Sequence, residues 1–212
     1  MVQVKRASVR NAILDSAREL FSERGYHGTT LLDIAEVAGT GVSSLYSYFP
    51  SKIHLLYAVF EPWYKDAFRR LEARVDALKA PREKLRCILL GIWRDIPNEN
   101  IGLANSHMEA LTSADPRARK PTPLLRWTEE RLLVLLQRAI PNDPQRPINY
   151  DLVPNLLMMA YDGFVINRRL NDLRDIEALV DTMCDIILGP NGIDDGATRS
   201  VRPLSPKGRG LG

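Results

Sequence analysis

The chain has 212 residues, of which 45% are apolar, the ordinary composition of a globular protein. Its formal net charge of +3 is too small to favour a protein that coats nucleic acid without sequence preference, but it is compatible with specific DNA binding. No apolar run approaches the ~20 residues that span a bilayer, no signal peptide opens the sequence, and Cys87 and Cys184 lie far apart in helical patterns. We therefore expect a cytoplasmic protein with two free thiols.

The first predicted helix runs from Ser8 to Arg24, where apolar residues repeat at intervals of three and four. Gly25 follows at the position of a C-cap. The absence of any stretch with strand-like alternation, here and in the rest of the chain, predicts an all-α fold.

Two short helices follow, from Leu31 to Ala38 and from Val42 to Tyr48. Thr30 is the expected N-cap of the first, and Gly39 occupies the tight turn between them. Pro50 ends the second helix. Two helices joined by a glycine turn form a helix-turn-helix, whose second helix lies in a DNA major groove.

The spacing of several residues in the first quarter of the chain resembles the DNA-binding domain of TetR-type transcriptional regulators. The motif residues are Ile13, Ala17, Leu20, Phe21, Gly25, Tyr26, Thr29, Thr30, Asp33, Ile34, Ala35, Ala38, Gly39, Leu45, Tyr46, Tyr48, Phe49 and Lys52. The resemblance covers about 55 residues and implies a dimer that binds a DNA operator and responds to a small molecule. Thr40, Gly41 and Ser43 depart from the usual pattern, so the operator sequence is not implied.

The predicted DNA contacts fall into two groups. The second helix of the motif lacks Arg, Lys, Asn and Gln, so its contacts to bases would come from Gly41, Val42, Ser43 and Ser44 and would be modest. The resemblance implies phosphate contacts by Tyr46, Tyr48 and Lys52, while hydroxyls and helix N-terminal amides suggest the same for Thr29 and Thr30. Lys5 and Arg6, ahead of the first helix, form either a DNA-contacting arm or a solvated N-terminus.

A long helix is predicted from Ser51 to about Ala80, joining the DNA-binding domain to the rest of the chain. Pro62 lies inside it, where a proline removes a backbone hydrogen bond and clashes with the carbonyl four residues earlier. We therefore predict a kink or break between Ala58 and Pro62. A ligand could act on the DNA-binding domain by moving the first part of this helix about Pro62.

Five further helices complete a predicted total of about nine. They cover Pro81 to Ile96, ended by Pro97, then Ile101–Leu111, Leu124–Ile140, Asp151–Asn171 and Leu173–Leu188, with connectors at Asp115–Pro123 and Pro141–Asn149. We expect a DNA-binding domain over residues 1–52, a ligand-binding and dimerisation domain over residues 53–189, and a disordered tail over residues 190–212.

The larger domain is expected to enclose a mostly apolar ligand cavity, although each candidate residue could equally be plain core. The candidates are Phe60, Trp63, Tyr64, Trp93, His107, Met108, Trp127, Met158, Tyr161 and Asp162. His107 and Asp162 are ionisable residues within apolar patterns and could orient a ligand.

The last two helices are the predicted dimer interface, because they carry apolar stripes that could form a four-helix bundle across a two-fold axis. The stripes contain Leu156, Met159, Ala160, Gly163, Phe164, Asn167, Leu179, Val180, Met183 and Ile187. Some of these residues could instead serve the core of the subunit itself.

No motif for a metal site, a nucleophile or a phosphate loop is present, and no cofactor is indicated. The sequence therefore predicts a homodimeric, ligand-responsive regulator that binds double-stranded DNA, most simply a repressor, and no membrane contact. The alternative is an all-helical small-molecule carrier or enzyme that retains a helix-turn-helix module.

Overall fold

A computed structural model describes residues 2–113, 123–140, 151–169 and 175–189, and throughout these residues the secondary structure is helical. The elements are α1 (Val2–Arg24), α2 (Leu31–Val37), α3 (Val42–Tyr46), α4 (Lys52–Ala77), α5 (Pro81–Leu90), a π-helical turn (Gly91–Asp95), α6 (Ile96–Glu99), α7 (Ile101–Ser113), α8 (Pro123–Ala139), α9 (Val153–Arg169) and α10 (Ile176–Leu188). The predicted all-α fold is confirmed. The predicted count of about nine agrees with these elements when the uninterrupted run from Pro81 to Glu99 is taken as one helix. None of the described helices is long and apolar enough to cross a membrane.

Two of the predicted connectors and the predicted tail lie mostly or wholly outside the described residues: 114–122, 141–150 and 190–212. Both cysteines are free thiols, Cys184 buried and Cys87 half-buried.

The helix-turn-helix forms for local reasons that the sequence contains. The Thr30 hydroxyl accepts a hydrogen bond from the Asp33 amide at 3.1 Å, and the Asp33 carboxylate accepts one from the Thr30 amide at 2.8 Å. This reciprocal capping box satisfies two amides at the start of α2. Gly25 and Gly39 have φ angles of 75° and 65°, in the left-handed region that a residue without Cβ adopts most readily, so each lets the chain turn after a helix.

Of the predicted kink or break between Ala58 and Pro62, the break is wrong, because α4 continues from Lys52 through Pro62 to Ala77. The kink remains a prediction. Pro62 lies on the exposed side of the helix, where water can hydrogen-bond to the Ala58 carbonyl that the proline leaves without a helical donor. The Lys65 ammonium also pairs with the Glu61 carboxylate at 2.6 Å, one turn apart across the proline.

The next helix continues three residues beyond its predicted last residue, Ile96, and ends at Glu99, within the Asn98–Asn100 cluster that was predicted to end it together with Pro97. The Ile96 amide donates to the Gly91 carbonyl, five residues earlier, so the helix widens into a π-helical turn just before the proline. Pro97 then falls in the first turn of α6, where the missing amide costs no intrahelical hydrogen bond. The widened turn also directs the Trp93 indole, whose N–H donates to the Leu157 carbonyl of α9 at 3.0 Å.

The buried apolar residues form two clusters, and α4 contributes to both. Leu55, Leu56 and Phe60 belong to the cluster around α1–α3, whereas Phe68 and Leu71 belong to the cluster around α5 and α8–α10. Helix α7 is shared in the same way, since its Leu103 lies in the first cluster and its Met108 in the second. Helix α8 is shared as well, with Leu124 in the first cluster and Leu132 in the second. Helices α4, α7 and α8 therefore connect the helix-turn-helix to the later helices.

A series of ion pairs holds α10 against the second cluster. The pairs join α10 to α5 and to the π-helical turn that follows α5. The pairs are Arg82–Asp185 (2.5 Å), Arg86–Asp181 (3.1 Å), Arg86–Glu177 (3.1 Å) and Arg94–Glu177 (2.8 Å). Each exposed pair contributes little alone, but the acidic residues repeat every four positions along α10 and so fix its register.

Candidate DNA-binding face and ligand cavity

Helix α3 presents a small, uncharged surface. Gly41 is its N-cap, Ser43 is exposed and Ser44 half-buried, and Tyr46 is 54% exposed. The fully buried Leu45 on the opposite side anchors the helix to the core. The exposed groups can offer hydroxyl hydrogen bonds and an aromatic edge to a major groove but no bidentate contact to a base.

Thr29 does not present its hydroxyl to solvent, contrary to the predicted phosphate contact. Its side chain is 0% exposed, and its Oγ1 lies 2.8 Å from the Gly25 carbonyl oxygen and 3.1 Å from that of Leu20. The hydroxyl therefore closes the end of α1. Thr30 is exposed, but its hydroxyl is engaged in the capping box, so the free α2 amides are the better phosphate ligands at this position.

Lys52 lies at the start of α4 and is half-buried. Its ammonium donates to the Tyr26 carbonyl at 2.7 Å and to the Thr29 carbonyl at 2.9 Å, and it sits 4.2 Å from the centroid of the Tyr26 ring. Burial lowers the pKa of Lys52. The residue thus ties α4 to the loop between α1 and α2, a role that the sequence did not reveal because the acceptors are backbone atoms. Its predicted phosphate contact remains a prediction.

The N-terminal basic residues lie within α1, because this helix begins at Val2 rather than at Ser8. They therefore do not form a separate extended arm at the described positions. Arg6 is exposed, and its carbonyl accepts a hydrogen bond from the Tyr48 hydroxyl at 3.2 Å. The Tyr48 side chain, also a predicted phosphate contact, is half-buried and ties α1 to the segment after α3. Lys5 lies on the same helix, and the position of its side chain is outside the described part of the structure.

The larger domain encloses an apolar cavity of about 170 Å³ among α4, α7, α8 and α9. Its lining is formed by Tyr57, Phe60, Tyr64, His107, Met108, Leu111, Leu124, Leu125, Thr128, Met158, Tyr161 and Asp162. A much smaller space of about 10 Å³ adjoins it and shares Phe60, Tyr64, Met158 and Tyr161 with it. The main cavity can accommodate a small apolar molecule, and aromatic rings form much of its wall.

Seven of the ten predicted ligand residues line the main cavity: Phe60, Tyr64, His107, Met108, Met158, Tyr161 and Asp162. Trp63 lines only the small adjoining space. The other two tryptophans lie elsewhere, Trp93 in the core and Trp127 edge-on against the Phe68 ring with centroids 5.3 Å apart. Trp93 and Trp127 are therefore not in the cavity, because their apolar helix faces serve the core.

Sequence reasoning missed five lining residues: Tyr57, Leu111, Leu124, Leu125 and Thr128. Tyr57 could have been found, since it precedes Phe60 by three positions and Tyr64 by seven and so shares their helix face. Leu124 and Thr128, four positions apart, lie together on α8 in the same way. The Thr128 hydroxyl donates to the Leu124 carbonyl at 2.9 Å.

Two polar side chains of the cavity, His107 and Tyr64, are held in their neutral forms by burial. Burial lowers the pKa of His107 to about 4, so its imidazole is uncharged at neutral pH. Its ring is stacked on the Phe60 ring with centroids 4.1 Å apart and meets the Tyr57 ring edge-on at 5.5 Å. Burial also raises the pKa of Tyr64 to about 12, although a hydrogen bond to Thr128 opposes this shift. These two side chains therefore offer neutral hydrogen-bonding groups at pH 7, beside the acidic side chain of Asp162.

The helix-turn-helix segment is similar to a known protein family. The family model described as "Bacterial regulatory proteins, tetR family" matches residues 13–59, from α1 to the first two turns of α4. Residues 13–59 are therefore similar to the DNA-binding domain of tetR-family regulators. The turn glycine, the capping box and the α3 surface described above all lie within the matched segment.

Similarity to a curated relative extends somewhat further. The transcriptional repressor KstR2 of Mycolicibacterium smegmatis is 30% identical over 109 residues, which are 51% of this chain and 53% of that protein. The matched segment thus spans about half the length of that relative. Curated proteins that resemble this chain are named as transcriptional regulators or repressors.

Solved structures share the fold over most of the chain. A putative TetR-family regulator from Rhodococcus sp. matches 86% of this chain and 99% of its own with a TM-score of 0.65 at 22% identity. The regulator FadR from Bacillus subtilis, solved in complex with stearoyl-CoA, matches 87% of this chain and 100% of its own with a TM-score of 0.61 at 19% identity. At these identities the likeness shows a common fold.

Helix α7 joins the cavity to the helix-turn-helix domain. One face of α7 carries His107 into the cavity, and another docks on the end of α1. The Ser106 hydroxyl donates to the Phe21 carbonyl at 2.6 Å. Gly102 approaches so closely that a Cβ there would lie 1.8 Å from the Ser22 carbonyl oxygen. The backbones of the two helices therefore pack directly against each other at Gly102 and leave no room for a side chain.

Helices α9 and α10 expose a large apolar surface. The exposed fractions are 61% for Leu156, 69% for Met159, 50% for Ile166, 42% for Leu179 and 62% for Ile186.

The other predicted interface residues are placed unevenly. Ala160 and Gly163 are exposed, whereas Phe164, Met183 and Ile187 are half-buried. Val180 is fully buried within the subunit and is not available to a partner, and the Asn167 side chain lies outside the described part.

Proposed function

We propose that this protein is a transcriptional repressor that binds a palindromic operator as a homodimer and is released from it by a small molecule. The observation that carries the proposal is the tetR-family helix-turn-helix, in which the buried Leu45 fixes α3 with Ser43 and Tyr46 exposed. A single short helix reads only a few base pairs, so a two-fold dimer is needed to read an operator.

The α9–α10 surface supports the dimer. Several large apolar side chains of α9 and α10 are 42–69% exposed, and exposed apolar surface of this kind commonly marks a protein–protein interface. Pairing these helices with their symmetry mates would bury Leu156 and Met159 in a four-helix bundle. Such a pairing would also place two copies of α3 on one side of the dimer.

DNA contacts divide into two kinds in this proposal. Ser43, Ser44 and Val42 would touch base edges, with Gly41 allowing close backbone approach, and would contribute modest specificity. Tyr46, the α2 N-terminus at Thr30 and the basic residues Lys5 and Arg6 on α1 would contact phosphates. DNA shape would then contribute much of the sequence preference.

Release by a ligand is supported by the position of α7. A ligand that displaces His107 would move α7, and the close contacts of Gly102 and Ser106 with α1 would pass that movement to the DNA-binding domain. Helix α4 lines the same cavity through Tyr57, Phe60 and Tyr64 and would move with it. A coupling of about 1–3 kcal/mol is enough to change DNA affinity by one to two orders of magnitude.

This route replaces the predicted hinge at Pro62 as the main connection, since α4 is continuous there. Movement of the two α3 helices away from a separation of about 34 Å, or a multiple of it, would then break the match to the DNA.

Stearoyl-CoA is bound by the FadR protein of Bacillus subtilis, which shares the fold. The lining residues described here include no lysine or arginine that could pair with the phosphates of a coenzyme A. We therefore do not extend that effector to this chain.

The proposal is tested by fluorescence anisotropy with a labelled duplex from the region upstream of the chain's own gene and an unrelated duplex of equal length. At about 100 mM salt the full chain should bind the upstream duplex and release the unrelated one. Ser43→Ala and Ser44→Ala should change the preference among operator variants, whereas Ser8→Ala, on α1, should not. Equal affinity for both duplexes would favour the carrier or enzyme that merely retains the motif.

A further inference from the structure

The charge distribution around the cavity is one-sided. Among its twelve described lining residues, Asp162 is the only aspartate or glutamate, and none is lysine or arginine. His107 does not offset this charge, because burial keeps it neutral. The remaining lining residues are aromatic, aliphatic, thioether or hydroxyl-bearing. A ligand in this cavity therefore meets a single acidic group in apolar surroundings.

The surroundings of Asp162 differ from those of the carboxylates that form ion pairs, such as Glu72 and Asp181. Glu72 is paired with Arg131 at 2.6 Å, and Asp181 is paired with Arg86 at 3.1 Å. At Asp162, by contrast, burial alone raises the pKa, with no contribution from a neighbouring cation. The cavity thus holds a carboxyl group whose ionised form would be stabilised by any cation placed beside it.

The cavity walls favour the same kind of ligand. Phe60 stacks on Tyr64 with centroids 5.5 Å apart, and Tyr57 and Tyr161 also line the space. The faces of aromatic rings attract cations, and most strongly those with a weakly hydrated quaternary nitrogen. Beyond the rings, Met108, Leu111 and Met158 offer an apolar surface, and Met side chains adapt to varied shapes.

We propose that the cavity binds a lipophilic cation, with its positive nitrogen between Asp162 and the aromatic rings and its apolar body against the Met and Leu side chains. This inference deepens the proposed function, since it assigns the chemical class of the releasing ligand. An anion of the same size would face Asp162 without a basic partner among the described lining residues. A neutral molecule would gain the apolar contacts alone.

The test uses three probes with the same phenylbutyl body: the trimethylammonium, the primary alcohol and the carboxylate that extends the chain by one carbon. Binding to the full chain is measured by calorimetry at about pH 7.5 without DNA. We expect the ammonium to bind at least tenfold more tightly than the alcohol, and the carboxylate to bind most weakly.

Asp162→Asn should reduce the affinity for the ammonium by about tenfold and leave the affinity for the alcohol within about twofold. Asp162 is exposed on one side, so the substitution should not disturb folding. Asp15→Asn, which changes an exposed carboxylate on α1, is the matched control and should alter neither affinity. The inference is overturned if the carboxylate binds as tightly as the ammonium, if none of the probes binds, or if Asp162→Asn leaves ammonium affinity unchanged.

Because DNA is absent from this measurement, its failure is separable from failure of the regulator proposal. Sequence-specific DNA binding without preference for the ammonium would refute only the ligand class. Tight ammonium binding by a chain that shows no preference for its upstream DNA would instead refute the regulator and leave a cation-binding carrier.

Discussion

Replacing His107 with phenylalanine tests whether the cavity keeps this histidine neutral. The pKa of His107 is lowered from its ordinary value of 6.5 to about 4 by burial in the native protein, so the unfolded chain takes up the proton first as pH falls. Native stability attributable to this group is therefore present above pH 6.5 and is lost progressively between pH 6.5 and pH 4. Phenylalanine preserves the stack on Phe60 and removes the titration.

The magnitude follows from proton linkage. Each pH unit over which the unfolded state holds one more proton changes the free energy of unfolding by about 1.4 kcal/mol. Between pH 7 and pH 5 the unfolded histidine becomes almost fully protonated while the native one does not, which gives a loss of about 2 kcal/mol. Urea unfolding followed by circular dichroism, at fixed chain concentration, measures this quantity for the parent and for His107→Phe.

We expect the parent to lose about 2 kcal/mol more than His107→Phe over that pH range, because all other titrating groups are shared. Met108→Leu, which changes a neighbouring lining residue without removing a titrating group, is the control and should follow the parent's pH dependence. If the parent and His107→Phe change equally with pH, the imidazole is solvated or paired in the native protein and the description of the cavity is wrong.

Three further substitutions test other parts of the structure. Met159→Glu should weaken the dimer by at least about 100-fold in sedimentation, because a charge replaces a largely exposed side chain in both subunits and each side chain would contribute about 1.5–3 kcal/mol on burial. Val134→Glu on α8 should leave the dimer intact. An unchanged dimer in Met159→Glu would place the interface elsewhere. Lys52→Met should lower the free energy of unfolding by about 1–3 kcal/mol, because it removes two charged hydrogen bonds to carbonyls. It should also weaken binding to the operator and to unrelated duplexes by the same factor, since a phosphate contact carries no sequence information. A change in sequence preference would contradict the phosphate contact. Gly102→Ala should force α1 and α7 apart and reduce operator affinity, whereas Asn105→Ala on the same helix should leave operator affinity unchanged. Full operator affinity in Gly102→Ala would show that the α1–α7 contact is not used in DNA binding.

The DNA-binding motif could be predicted from the sequence because its determinants are local. The Thr30 cap, the acidic partner Asp33 three residues later and the turn at Gly39 all act within a few positions of one another. Lys52 shows the limit of this reasoning. A lysine that donates to two carbonyls more than 20 residues away looks the same in the sequence as a surface lysine.

Prolines were the main source of error in the helix boundaries. At Pro62 the exposed side of α4 tolerates the missing hydrogen bond, and at Pro97 a π-helical turn moves the proline into the first turn of a new segment. Both arrangements depend on the surroundings of the helix. The sequence around a proline does not show these surroundings, so it predicts an interruption at both positions.

The cavity was predictable only in part, because its helices are apolar on more than one side. Periodicity identified Phe60, Tyr64 and His107 as inward-facing, but it could not distinguish a side chain that lines a cavity from one that fills the core, such as Trp93. That distinction depends on how closely α7, α8 and α9 approach one another, which is a property of the tertiary structure.

The most direct test of the central claim is the number of chains bound to a duplex from the region upstream of the gene, together with the pattern of bases they protect. We expect two chains per duplex and one or more pairs of protected half-sites, separated by about one helical turn or a multiple of it. Met159→Glu should lose this pattern. A single chain per duplex, or uniform protection that grows with protein concentration, would contradict recognition of an operator by a pair of α3 helices.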